Sequence, residues 1–443
     1  MPVPLQYLSS ARTAIGIAEA IESAVEQGSA RPGEKLPSVR DLAQELGISP
    51  ATVAAAYRQL RQRGLVWTRE RSGAQISHRP AVATSFEIPL PDGVRDLASG
   101  SPDLRLLPSF DEAVSRLSFP HRVYGGDSRR IELVEVAREQ LGAEGIDCTH
   151  MAVVNGGLDG LERVLATRLQ PGDTVGVEDP AYSGLTNLCH DMGLKVVGFQ
   201  VDSDGPLAAS LEAALRGGVH AVVVTPRAQN PTGGALTEPR TAELRAVLVG
   251  FPDILVVEDD HAGEITGCVR RSVAQGRESW ACVRSVSKVL GPDLRIAMVA
   301  GDRTTITRLA GRQRNGTGWV SHILQRIAAE LWRSAAASGE LRYAAEQYRF
   351  RRTRFIEALN DRGVTALGKC GFNVWIPTQS EAATVQALFS RGWAVQPGES
   401  FRISSGPGIR ITVATLDTAD DAERLAADVA TVLTTSPTRT RPA

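Results

Sequence analysis

Residues 12–28, RTAIGIAEAIESAVEQG, set Ile15, Ala18, Ile21, Ala24 and Val25 three and four positions apart, the spacing of one helical face, and Gly28 stops the run. LPSVRDLAQELGI repeats the signal over a shorter length. Ser38 is placed to cap a helix carrying Val39, Leu42, Ala43 and Leu46, and Gly47 ends it. SPATVAAAYRQLRQRG restarts at once, with Ser49 as the cap, Pro50 at the first helical position and Gly64 as terminator. Two short helices across a tight Gly-containing turn form the helix-turn-helix pattern. LVWTRERSGAQIS then predicts two short strands around a charged turn, which is a wing. Periodicity lapses in HRPAVATSFEIPLPDGVRD, a Pro-rich stretch without helical or alternating order.

Beyond it, short β-rich runs alternate with helical patterns. MAVVNGG precedes LDGLERVLATRL, and DTVGVEDP precedes AYSGLTNLCHDMG. KVVGFQV, AVVVTP, ILVVEDD, CVRSVS and AMVAG follow. The alternation predicts an α/β body with a mostly parallel sheet covered on both faces. The expected organisation is a DNA-binding head over 1–78, a linker over 79–96, a body over 97–434 and a disordered tail over 435–443.

Charge sharpens the reading of the head. The 443-residue chain has a net charge of −1, which excludes a global attraction to nucleic acid or membrane. Residues 31–79 nevertheless hold nine basic and four acidic side chains. Positive charge is concentrated where the helix-turn-helix lies, as phosphate binding requires. No apolar stretch is long enough to predict a membrane span, and the N-terminus lacks a signal pattern. The five cysteines are scattered without metal-ligand spacing, so reduced thiols in a cytoplasmic protein are expected.

Only four lysines occur: Lys35, Lys195, Lys288 and Lys369. One of them, Lys288 in SVSKVLGPDLR, lies at a strand end, where open α/β sheets place ligands. Other strand ends supply Asn230, Tyr182, Arg295, the acidic run Glu258–Asp259–Asp260 with His261, and a Gly-rich turn into a helix. A single ligand accounts for the set: pyridoxal phosphate. An amine is needed to form a Schiff base with its aldehyde. A carboxylate must pair with the pyridinium nitrogen. A helix N-terminus reinforced by arginine suits a dianionic phosphate.

The head, in GEKLPSVRDLAQELGISPATVAAAYRQLRQRGLV, resembles the GntR family of winged helix-turn-helix regulators. The resemblance implies that Arg40 meets phosphate and groove edge, and that Ser49, Ala51 and Thr52 open the recognition helix. Arg69 and Arg71 fall on the wing. Pro50 stands where family members often carry a long basic side chain. The body resembles fold-type I aminotransferases over roughly 97–434, through SGSPDLRLLP, PGDTVGVEDPAYSG, TPRAQNPTGGAL, VVEDDHAGEI and SVSKVLGPDLRIA. Taken with the head, the whole chain is similar to the MocR subfamily, in which such a head is fused to an aminotransferase-like domain with a smaller C-terminal α+β lobe.

By that resemblance Lys288 is the Schiff-base lysine and Asp259 the partner of the pyridine nitrogen. Asn230 faces the phenolic oxygen and Tyr182 stacks on the ring. Ser285, Ser287 and Arg295 grip the phosphate with the Gly156–Gly157 turn. Arg410 falls where the family binds an incoming carboxylate. His261 replaces a tyrosine that hydrogen-bonds the ring oxygen, and Gly157–Leu158 replace a hydroxyl and an amide. YGGDSRR also departs from the family's Tyr-Gly-Asp-Pro segment. The expected function is transcription regulation by a homodimer on double-stranded DNA, with an amine or amino-acid effector sensed through pyridoxal phosphate. The alternatives left open are a working aminotransferase with an accessory head, and a regulator whose body no longer binds the cofactor. At most slow transamination half-reactions are expected of the leading reading.

Overall fold

The computed structural model describes residues 12–435 apart from 27–29, 31–32, 63–64, 70–72, 77–89 and 122. Most of the predicted linker, and the tail from residue 436, lie outside the described residues. Two compact units are present, one holding the head and the other most of the chain from residue 90 onwards.

The head consists of α1 (Ala14–Glu26), α2 (Val39–Leu46), α3 (Pro50–Gln62), β1 (Val66–Arg69) and β2 (Gly73–Ile76). The caps act as the sequence predicts. Ser38 Oγ accepts from Asp41 N at 3.1 Å, and Gly47 takes the left-handed conformation at φ 63°. Ser49 Oγ accepts from Thr52 N at 3.1 Å, which starts α3. One core unites the three helices and the wing through Ile17, Ile21, Leu42, Val53, Leu60 and Ile76. Val39, expected on the inner face of α2, is only half-buried against that core, and the side chain of Ile15 is outside the described residues. Tyr57 fixes α3 to the loop before α2: its ring is buried and its hydroxyl donates to Pro37 O at 2.9 Å. β1 and β2 pair antiparallel in the register Val66↔Ile76, so the predicted wing is a hairpin.

The body's strands are β3 (Arg95–Asp96), β4 (Met151–Val154), β5 (Thr174–Asp179), β6 (Lys195–Asp202), β7 (Gly205–Pro206), β8 (Ala221–Val224), β9 (Leu255–Asp260), β10 (Trp280–Ser285), β11 (Ala297–Gly301), β12 (Asn373–Pro377), β13 (Trp393–Ala394), β14 (Gln396–Pro397) and β15 (Gly408–Thr412). Eight form one sheet in the order β4-β11-β10-β9-β8-β5-β6-β7. Its centre is parallel, from β5 through β8 and β9 to β10. β11 runs antiparallel to both β10 and β4, so the sheet is mixed at that side. β8 and β9 are buried along their whole length and β10 at every residue but the half-buried Trp280, as a sheet covered on both faces requires.

The C-terminal lobe is a three-stranded antiparallel sheet, β12-β15-β14. Val374, Ile376, Ile409 and Ile411 on it pack with Phe355, Leu359, Leu425 and Val429 from the helices Glu340–Asn360 and Ala419–Thr435.

The cysteines correct one expectation. Cys268 and Cys370, 102 positions apart in the chain, are joined by a disulfide with Cα atoms 6.2 Å apart. Cys148, Cys189 and Cys282 are free thiols. Spacing along the chain did not reveal the pair because two separate loops bring it together.

Candidate functional site

The carboxyl ends of β9 and β10 meet the C-terminal lobe's β12 and β15 around a cavity of about 260 Å³. Lys288, Asp259, Asn230, Tyr182, His261, Gly157, Ser285, Ser287, Arg295 and Arg410 all line it. Gly156 is the one predicted body residue outside the lining, yet it adjoins it. Its φ is +97°, and a Cβ there would stand 3.0 Å from Arg295 Nη2, so only glycine lets that guanidinium lie against the turn. Gly156 caps the helix Gly157–Leu165, whose first residue lies beside Ser285, a Cβ on Gly157 standing 3.6 Å from the Ser285 Cβ.

Lys288 sits three residues past β10 and donates from Nζ to Gly100 O at 2.8 Å. Burial pushes its ammonium down to about 8, and the Arg410 and Arg295 cations add to the shift. Asp259, on β9 across the cavity, is pushed up to about 7, first by burial and then by the negative charges of Asp260 and Glu178. His261 is held near 4 by burial and by Lys288, so it is a neutral imidazole at physiological pH and not a cation. Tyr182 is 39% exposed at the cavity's edge, and its phenol is raised by burial of the hydroxyl and by Asp259.

Arg410 projects from β15. Its Nη1 donates to Asn230 Oδ1 at 3.2 Å, Nη2 donates to Ala98 O, and the guanidinium lies 5.1 Å from the centre of the Phe401 ring. Its Nε is buried without a hydrogen-bond partner. Ser287 Oγ on the cavity wall is likewise buried and unpartnered, while Ser285 Oγ accepts from Ser287 N at 3.2 Å. A polar cavity wall with a spare hydroxyl beside Arg295 and a helix N-terminus fits the phosphate of pyridoxal phosphate. The buried carboxylate opposite an amine fits its ring and aldehyde.

Sequence reasoning missed several wall residues: Ser99, Gly100, Leu161, Pro292, Phe372 and Asn373. Phe372 and Asn373 come from the start of β12, far along the chain, and no spacing pattern marks them. It also missed what lies behind the strand. Asp260 is fully buried among Arg227, Arg270 and Arg284, with Arg227 Nε 3.0 Å and Arg284 Nε 3.0 Å from its carboxylate. These guanidiniums hold its carboxyl far below the usual range against the cost of burial. Glu144 closes the cluster, bonding both Arg227 and Arg284. Glu178, next to Asp259 in charge terms, is raised to about 7 by burial while accepting from Thr225 N at 2.9 Å.

In the head, Arg40, Ser49 and Ala51 are exposed and Thr52 is half-buried. Arg69 ends β1, but its side chain and the whole of Arg71 are outside the described residues. No helix among the described residues is long and apolar enough to cross a membrane.

The aminotransferase class I and II family matches residues 94–427, and the gntR family of bacterial regulatory proteins matches residues 13–76. The chain is 35% identical over 421 residues to the vitamin B6 salvage pathway transcriptional repressor PtsJ of Salmonella typhimurium, spanning 94% of this chain and 98% of that protein. It is 28% identical over 281 residues to the HTH-type pyridoxine biosynthesis transcriptional regulator PdxR of Corynebacterium glutamicum, spanning 60% of each. In fold, it is similar to the kynurenine aminotransferase of Pyrococcus horikoshii, with a TM-score of 0.70 over 77% of this chain and 91% of that one at 21% identity. With a GntR-type head, an aminotransferase class I and II body and a full-length regulatory relative, the chain belongs to the MocR-type GntR regulators and is a DNA-binding transcriptional regulator.

Proposed function

We propose that this regulator binds pyridoxal phosphate in the body's cavity and reads vitamin B6 status onto DNA from the cytoplasm. The observation that carries the reading is the lowered Lys288 amine facing a buried Asp259, with the Ser285, Ser287 and Arg295 cluster on the same wall. Two relatives are named for vitamin B6 pathways, which supports the choice of signal.

When bound, pyridoxal phosphate supplies an aldehyde and an electron-withdrawing ring. The chain's own groups account for the rest. Lys288, partly unprotonated near neutral pH, is the nucleophile towards a carbonyl. Asp259 would accept from the ring's N–H, a pairing that would favour its charged form over its neutral one. Ser287 Oγ, Ser285, Arg295 and the N–H groups at Gly157 would hold the phosphate. Asn230 and neutral His261 would serve the ring's phenolic oxygen, and Tyr182, at the cavity's edge, would cover the ring. The head binds DNA through Arg40, the start of α3 and the wing with Arg69 and Arg71. A homodimer would present two heads to two half-sites. For regulation, ligand and DNA must favour different global states.

A second reading is favoured by one observation. Arg410 lines the cavity with a buried, unpartnered Nε. A forked guanidinium suits a carboxylate, so an amino acid entering beside the cofactor is the effector in that reading. Slow transamination would then accompany sensing.

The test is direct. Purified protein with added pyridoxal phosphate develops a yellow absorbance band, and Lys288→Ala does not. Footprinting upstream of the gene finds salt-sensitive, sequence-specific protection that shifts with the ligand. A colourless wild type overturns the cofactor assignment, and a ligand-blind footprint overturns the sensing.

A further inference from the structure

Three loops converge beside the cavity, and each supplies part of its wall. The loop after β8 carries Asn230, the loop after β9 carries His261, and the turn before β12 leads into Phe372 and Asn373. They meet in a small apolar cluster of Ala228, Ala235, Ala262 and Cys370, with Cys268 packed against it. Contacts among them are close. Cys370 N donates to Gly233 O at 2.8 Å, and a Cβ on Gly233 would lie 2.5 Å from Asn373 O. Arg227 Nη1 donates to Cys268 O at 3.2 Å while its other nitrogens hold Asp260, the neighbour of Asp259. The Cys268–Cys370 bond therefore ties the loop that follows Asp259 and His261 to the turn that leads into Phe372 and Asn373.

We propose that Cys268 and Cys370 are a reversible thiol–disulfide pair that braces the cavity's walls. Cys370 is fully buried, whereas Cys268 is half-buried and reachable from solvent. An accessible sulfur paired with a buried one is the arrangement of a labile, redox-responsive disulfide. In a reducing compartment, disulfides of this kind are transient. The oxidant is a peroxide. The Cys268 thiolate attacks one peroxide oxygen and the other leaves as water, giving a sulfenic acid. The Cys370 thiolate attacks that sulfur and expels hydroxide, which takes up a proton. The two thiols lose two electrons and two protons in all, and the peroxide becomes two waters. A dithiol reductant reverses the change. The inference concerns the cavity's walls and holds for whichever ligand fills them.

The experiment uses the full chain. Peroxide-treated and dithiol-treated samples are alkylated and peptide-mapped, and amide hydrogen exchange is read over 228–235, 262–268 and 368–373. Expected are a Cys268–Cys370 crosslinked peptide that appears with peroxide and disappears with millimolar dithiothreitol, and exchange about tenfold slower in those segments when crosslinked. Cys268→Ser, which alters the more exposed sulfur, abolishes the response to peroxide. Cys148, Cys189 and Cys282 serve as internal references. Two alkylated thiols after peroxide would overturn the proposal. So would a crosslink that resists the reductant, or equal exchange in both states.

Discussion

Replacing Asp259 with asparagine should have opposite effects on the empty protein and on ligand binding. The folded carboxyl titrates at about 7, against an ordinary value of 3.8, because burial and the charges of Asp260 and Glu178 oppose its ionisation. Between those two values the folded state holds a proton that the unfolded state has released. Stability therefore falls as pH rises through this window. The linkage cost of the ionised group is about 2 kcal/mol at pH 5 and about 4 kcal/mol at pH 8, as upper figures because Glu178 shares the titration. Asparagine keeps the shape and carries no charge, so Asp259→Asn should stabilise the ligand-free body by an amount that grows from pH 5 to pH 8. Urea unfolding followed by tryptophan fluorescence reads this, since five of the six tryptophans lie in the body. With pyridoxal phosphate the order reverses, because the variant cannot pair a carboxylate with the ring's N–H. A stability difference independent of pH, or a variant less stable than wild type when empty at pH 8, would refute the account of Asp259.

Lys288 should be half unprotonated at about pH 8, which at pH 7 leaves roughly 300 times more free amine than an ordinary value of 10.5 would; trace acetylation at graded pH, read by mass spectrometry, gives the midpoint, and a value of 10 or above contradicts the burial argument. Asp260→Asn leaves Arg227, Arg270 and Arg284 under-compensated in a dry cluster and should cost about 3–5 kcal/mol, seen as a lowered urea midpoint at neutral pH. The wild-type contribution is present above the ordinary carboxylate range and is lost only in strong acid, because the folded value lies below the unfolded one. Gly233→Ala, at φ +65° and against Asn373 O, should cost about 1–3 kcal/mol; an unchanged midpoint would show that the loop moves freely. Arg40→Ala should reduce the slope of log K against log salt by about 0.9 on a bound operator fragment, and an unaltered slope would remove Arg40 from the phosphate contacts.

What could be read from the chain, and what could not, follows from the range of the interactions. The helices of the head and the capping serines were legible because a helix start depends on residues three and four positions apart. The β-rich runs were legible because strands buried on both faces are apolar throughout. The candidate cavity was legible wherever a chemically unusual residue sits at a strand end: a lysine in a chain with four, an asparagine before Pro-Thr-Gly, a carboxylate closing an apolar run. Phe372 and Asn373 were not, since their place depends on how the C-terminal lobe's sheet meets the larger one. Nor was the Cys268–Cys370 bond, which joins two loops that spacing does not relate.

Glu258, Asp259 and Asp260 show the same limit within three residues. On a strand, alternate side chains point to opposite faces, so Asp259 faces away from both neighbours. The sequence shows three equivalent acids. The fold gives Glu258 and Asp260 arginine partners on one side and gives Asp259 an open cavity on the other. The partners come from Arg227, Arg270 and Arg284, on segments that meet only in the folded sheet. One carboxyl is thereby driven far down and the next is pushed up to about 7. The arginine cluster neutralises Asp260 so that its charge can be buried, while Lys288, Arg295 and Arg410 line the cavity without an ion pair to Asp259, which leaves that carboxyl in need of a partner. A ring carrying an N–H⁺ would supply that partner, which is how the fold's electrostatics favour the ligand proposed above.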